Sequence, residues 1–152
     1  SVENQPRQWR LNLSKNECPH KDAELEAEKE EWLSCLPAAS WVSRIPQAVL
    51  KQFSTGIIDY EYGLMMSEGD ALALGLRRTE NVEIVPGGDY LVMIHRKVDR
   101  SPWAWCDIKT ATDYMQQNGM KVFGDGFSNI IASHIEEGEV ANYHRLAIKI
   151  YT

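Results

Sequence analysis

Two indoles, Trp103 and Trp105, stand where a strand-like run hands over to a helix in Ser101-Pro102-Trp103-Ala104-Trp105. A flat aromatic face can stack on a ligand ring or attract a cation, each contact being worth about 0.5–2 kcal/mol. Two residues apart, the indoles cannot share one helical face, so at least one is expected to wall a pocket. The competing expectation is packing alone, with Trp105 inward and Trp103 over a sheet edge. Tyr60-Glu61-Tyr62 is the second candidate group. On a strand the two tyrosines share a face and Glu61 points the other way. The tyrosines are expected to line the cleft, with Glu61 towards solvent, because a buried unpaired carboxylate is costly. Phe127 and Tyr143, on closing strands, would complete an aromatic box.

The chain carries no Gly-rich phosphate loop, nucleophile elbow or other catalytic signature. Cys18, Cys35 and Cys106 are odd in number and widely spaced, which suits reduced cytoplasmic thiols better than a zinc site. His95, His134 and His144 are scattered over three expected strands, so no metal and no cofactor is expected. Net charge is −6, from 22 acids and 16 bases, and the bases form only short pairs such as Arg77-Arg78 and Arg96-Lys97. A nucleic-acid surface on this chain is therefore not expected. No apolar run approaches the roughly 18–20 residues that cross a bilayer, and the first residues do not resemble a secretory signal. A cytoplasmic location without a membrane partner follows as the expectation. At 152 residues the chain can bury a real core as one domain, or as one domain with an appendage.

The elements that must position these residues are read from periodicity. Trp9, Leu11 and Leu13 alternate with Arg10 and Asn12 as in a short strand. Residues 21–36 form the first expected helix, acidic on its outer face and ended by Pro37, with a thin stripe of Leu25, Trp32 and Leu36. Residues 41–53 suggest a long strand broken at Pro46, and residues 57–66 a second strand. Ser67 is placed to cap a short helix that ends at Gly75. Val82–Val85 and Tyr90–Ile94 flank Pro86-Gly87-Gly88 as an expected hairpin. Pro102–Gln117 is the best-marked helix, with Trp105, Ile108, Thr112 and Met115 at helical spacing and Asn118-Gly119 as its stop. Three closing strands follow at 120–123, 127–134 and 143–151, with turns at Gly124-Asp125-Gly126 and at 136–139. In the last strand Leu146, Ile148 and Ile150 face one way, while Ala147, Lys149 and Tyr151 face the other, suiting a sheet with one wet face. Runs of strands with few helices give an α+β class.

Val82-Glu83-Ile84-Val85-Pro86-Gly87-Gly88-Asp89-Tyr90, Asp113-Tyr114-Met115, Gly124-Asp125-Gly126-Phe127 and Tyr143-His144-Arg145-Leu146-Ala147-Ile148-Lys149-Ile150 resemble the gyrase-inhibitor-like effector-binding domains. These occur at the C-terminal end of bacterial MerR-type and AraC-type multidrug-sensing transcriptional regulators. The resemblance covers residues 40–152 and is best over the last seventy or so. It implies duplicated β-α-β-β units forming a curved antiparallel sheet, with helices on one side and a cleft between the units. Residues 1–39 would then be an N-terminal extension carrying the helix near 21–36. It also implies binding of small aromatic or hydrophobic molecules, often cationic, and the signal would pass to a DNA-binding domain outside this chain. The implied ligand-binding set is Trp103, Trp105, Tyr60, Tyr62, Glu61, Tyr90, Phe127, Ser128 and Tyr143, with no catalytic residue. Ser128 stands where family members often carry a ligand-balancing glutamate, so the cation preference would need Glu61 or Asp125 instead. The first unit is also expected to lack its usual helix, and the helix over 21–36 to fill that gap. Two other functions fit the same resemblance. One is a hydrolase of small toxic compounds using Glu61 with Tyr90 or Tyr143; the other is a protein-binding inhibitor whose acidic surface mimics DNA. A homodimer is compatible with any of these.

Overall fold

The computed structural model describes residues 1–14, 23–51, 58, 60–98 and 105–151. Its elements run β1 (Val2–Gln5), β2 (Gln8–Asn12), α1 (Ala23–Leu33), β3 (Ser40–Ile45), α2 (Gln47–Leu50), β4 (Glu61–Ser67), α3 (Glu68–Ala73), β5 (Val82–Val85), β6 (Gly88–Lys97), α4 (Trp105–Gln117), β7 (Lys121–Glu136) and β8 (Glu139–Tyr151). The class is α+β and the described strand pairings are antiparallel. Two units divide the chain: residues 1–4, 43–60 and 89–152 form the first, and residues 5–42 and 61–88 the second. No helix among the described residues is long and apolar enough to cross a membrane.

In the first unit β8 lies between β6 and β7, and the end of β3 adds to β7 through Ser43–Ile45. Leu91, Leu146, Ile148 and Ile150 point to one face of these strands. There they form a core with Ile108, Ala111 and Met115 of α4 and with Ile45, Leu50 and Ile58. The helical spacing over α4 is thus real, although Tyr114 stays exposed. Gly119 takes a φ of 65° just past the helix, where the Met120 amide donates to the Met115 carbonyl.

In the second unit β2 is central, paired with β4 on one side and β5 on the other. Trp9, Leu11 and Leu13 pack with Leu25 and Trp32 of α1 and with Leu64, Met66, Ala71 and Val82. Helix α1, with an acidic outer face and few apolar anchors, is held to the sheet mainly by Trp32 and Leu25. The Ser67 hydroxyl accepts from the Asp70 amide at 3.1 Å and caps α3, and Gly75 at φ 74° ends that helix, both as the sequence implies.

Four expectations need correction. Residues 82–94 are not a hairpin: β5 pairs with β2, whereas β6 pairs with β8. At Gly87 the missing side chain lets the Gln5–Arg7 backbone pass close by, where a Cβ would make a tight contact at 3.0 Å. The strand expected over 41–53 stops at Ile45, since Pro46 with φ −59° precedes the short helix α2. The Gly124-Asp125-Gly126 turn is instead a bulge inside the continuous β7, where the register with β8 shifts between Val122 and Gly126. Finally, the second face of β8 is wet only in part, because Ala147 and Lys149 are buried while Tyr151 is exposed.

Candidate ligand-binding site

Register decides which candidate side chains can meet. Opposed residues in an antiparallel ladder share a face, and Tyr90 lies opposite Lys149, Arg96 opposite Tyr143 and Phe127 opposite Ala147. Tyr90, Phe127 and Tyr143 therefore occupy one face of the first unit's strands, the face away from α4. Tyr90 and Phe127 are buried, at 2% and 6% exposure, and Tyr143 is half-buried. Ser128 is brought to the opposite face, where its hydroxyl lies 3.4 Å from His144 Nδ1. It does not stand with the three rings.

Tyr60 is exposed and precedes β4, which begins at Glu61; residue 57, the expected start of this strand, lies outside the described residues. Tyr62 and Glu61 belong to the second unit. Alternation along β4 places the half-exposed Tyr62 on the α1 side with Leu64 and Met66, and Glu61 on the other side with Gly63 and Met65. That side carries Arg10, fully buried, which donates to Glu83 Oε2 at 3.1 Å and to the Glu61 carbonyl at 3.1 Å. Glu61 is half-buried, contrary to its expected place in solvent. Trp103 and Cys18 lie outside the described residues, and Trp105 is described only as the first residue of α4.

Three residues missed in the sequence reading belong to the Tyr90 face. The Lys149 ammonium lies 5.5 Å from the Tyr90 ring centroid and 5.6 Å from that of Phe123. Phe123 meets Tyr151 edge-on, with centroids 5.2 Å apart, and both rings are largely exposed. The bulge makes this possible: a Cβ at Gly124 would fall 2.9 Å from Lys149 Cβ, so glycine admits the lysine stem. Asp125, displaced by the same bulge, pairs with Arg44 at 3.0 Å and accepts from the Gln47 amide at 2.8 Å, fastening α2. The signal available in the sequence was Gly-Asp-Gly beside a lysine on an apolar strand. At the other end of the face, Tyr143 lies opposite Arg96, which bonds Glu136. A groove of about 540 Å³ opens there, lined by Arg96, His134, Ile135 and Glu136 among others.

Burial, aided by the negative charge of Asp125, pushes the Tyr90 phenol up to about 12. The unfolded phenol ionises near 10, so deprotonation above that pH favours the unfolded chain. Stability from this group is complete below pH ~10 and is lost progressively as pH rises through ~12. Urea unfolding between these pH values should show that slope, and Tyr90→Phe should flatten it. An unchanged slope in the variant would assign the loss to other groups.

Behind the strands, on the α4 side, Asp107 in the helix's first turn accepts from Lys97 at 2.8 Å and contacts His95 Nε2 at 3.2 Å. An acid there suits the positive end of the helix dipole. His144 stands opposite His95 in the ladder. Burial, with His95 and Lys97 adding repulsion, pulls its imidazole below the usual range. No cluster with metal-ligand character occurs among the described residues.

No family model and no curated protein matches the chain. Among solved structures, the C-terminal domain of EcmrR is similar with a TM-score of 0.57 and 10% identity, covering 100% of this chain and 96% of that one. A likeness at that identity speaks for the fold. It agrees with the α+β architecture implied by the family resemblance, and carries no residue role across.

Proposed function

We propose that this chain is a ligand-sensing effector-binding domain of a transcriptional regulator, taking a small aromatic or hydrophobic molecule. The observation that carries the reading is the aromatic face of the first unit, where Tyr90, Phe127 and Tyr143 share one side of β6, β8 and β7. Aromatic walls with a few placed polar groups are the usual makeup of a small-molecule site. The fold likeness to the C-terminal domain of EcmrR is compatible with this reading. Trp105, the first residue of α4 in the same unit, and Trp103, two residues before it in the sequence, are proposed as further members of this set. Binding would shift the population of regulator states by the ligand's difference in affinity between them.

Tryptophan fluorescence titrated with a panel of hydrophobic aromatic dyes tests this. Saturable quenching is expected, weakened by tenfold or more in Tyr143→Ala and in Trp103→Ala, with the dye recovered unaltered. Chemical turnover of the dye would replace sensing with the hydrolase reading, and absence of saturable binding across the panel would remove both.

A further inference from the structure

In each unit the strand face away from the main helix buries a cation, and the two are treated differently. Arg10 in the second unit is fully buried and ion-paired to Glu83. Lys149 in the first unit is 8% exposed, and among the described residues its ammonium donates to two backbone carbonyls, Ile150 at 3.1 Å and Asp89 at 3.4 Å, besides facing the two rings. The three arginines on the same face each have a carboxylate: Arg44 has Asp125, Arg145 has Glu3 and Arg96 has Glu136. Among the described residues, Lys149 is thus the buried cation of this face without a carboxylate beside it.

Taking an ammonium out of water without a counter-ion is expensive, and two carbonyls and two ring faces offset only part of that cost. A strand position opposite Tyr90 would be filled more cheaply by an apolar residue, as Ala147 fills its neighbour. A desolvated ionisable group beside a candidate site is a functional signal when it is retained at such expense. The cover over Lys149 is also slight. Phe123, whose ring the ammonium faces, is 57% exposed, and Tyr151, packed edge-on against Phe123, is 64% exposed. Those same rings already present the aromatic surface that a planar ligand would contact.

We infer that the ligand is an anionic aromatic compound, its carboxylate or sulfonate pairing with Lys149 while its ring lies against the exposed Phe123 and Tyr151. This rests on the effector-binding reading and sets the charge of the effector. A cation would meet Lys149 as a like charge. The lysine already occupies the ring faces that would otherwise attract such a ligand.

Isothermal titration of the chain with three naphthalenes of like shape tests the inference: 1-naphthoate, 1-naphthalenemethanol and 1-naphthylmethylammonium. The expected ranking puts the carboxylate at least about tenfold tighter than the alcohol and the ammonium weakest. Lys149→Met should erase the carboxylate's advantage while leaving the alcohol within about twofold, and Lys149→Arg should keep the advantage. Thermal melts confirm that each variant is folded, and the ranking on the unaltered chain stands as a separate readout if one is not. Tightest binding by the ammonium, or a carboxylate advantage that persists in folded Lys149→Met, overturns the inference and leaves effector binding intact. Failure of all three to bind while the dye panel still saturates removes the inference alone, and failure of the dye panel as well removes the reading beneath it.

Discussion

Glu83→Ala is expected to destabilise the protein by about 3 kcal/mol, the low end of the range for breaking a buried ion pair. Arg10 is fully buried, and its Nη1 donates to Glu83 Oε2 at 3.1 Å. Glu83 keeps about 30% side-chain exposure, so water screens the pair from one end and holds the effect down. The carboxylate also accepts from Asn12 Nδ2 at 3.4 Å, which adds a second orphaned donor to the loss. Replacing both partners, as Arg10→Met with Glu83→Leu, should restore most of the deficit, because the penalty lies in the stranded charge. Urea unfolding of the two single variants and the double variant measures this directly. A Glu83→Ala deficit under about 1 kcal/mol would mean that Arg10 is satisfied without it.

Trp32→Ala should cost about 3–5 kcal/mol, as expected for truncating a large buried aromatic. Trp32 is 2% exposed and packs in the second unit's core with Trp9, Leu11 and Leu64. Helix α1 has only 11 residues, and its buried side chains are Leu25 and Trp32. A helix this short is marginal on its own, so its order depends on what it rests upon. The loss should thus appear as reduced far-ultraviolet helicity under mild denaturant as well as a lower urea midpoint. Glu26→Ala, on the exposed acidic face, should stay within about 0.5 kcal/mol of the parent. A Trp32→Ala variant with an unchanged midpoint would detach α1 from the stability of the second unit.

Legibility followed the physics that a sequence encodes locally. Helix α4 and the caps at Ser67, Gly75 and Gly119 were readable, because spacing and turn chemistry act over a few residues. The strand around Trp9 was readable from alternation, yet the burial of Arg10 and Asn12 was not, since only the Glu83 carboxylate across the ladder makes it tolerable. Pro86-Gly87-Gly88 signals a turn but does not name a pairing partner, so β5 and β6 looked like a hairpin while joining different neighbours. The same limit hid Lys149. Alternation placed it on the face opposite Ile148, and only the bulge at Gly124 and the ring of Tyr90 across the ladder show that face to be covered at this position. Of the candidate site, the sequence suggested Tyr90, Phe127 and Tyr143, but their shared face depends on register. Ser128, next to Phe127, falls on the reverse side by the same alternation.

The interleaved path of the chain has a practical consequence for anyone trimming it. Residues 5–42 and 61–88 make one unit, and the remaining segments make the other, so neither corresponds to a single continuous stretch. Deleting the first forty residues would excise β2, the strand on which both β4 and β5 depend for hydrogen bonds. Two ladders would be stripped at once and Trp32 lost with them. A protease nick in a surface loop would be better tolerated than any shortened gene, because the severed pieces remain stitched together by the strands they share.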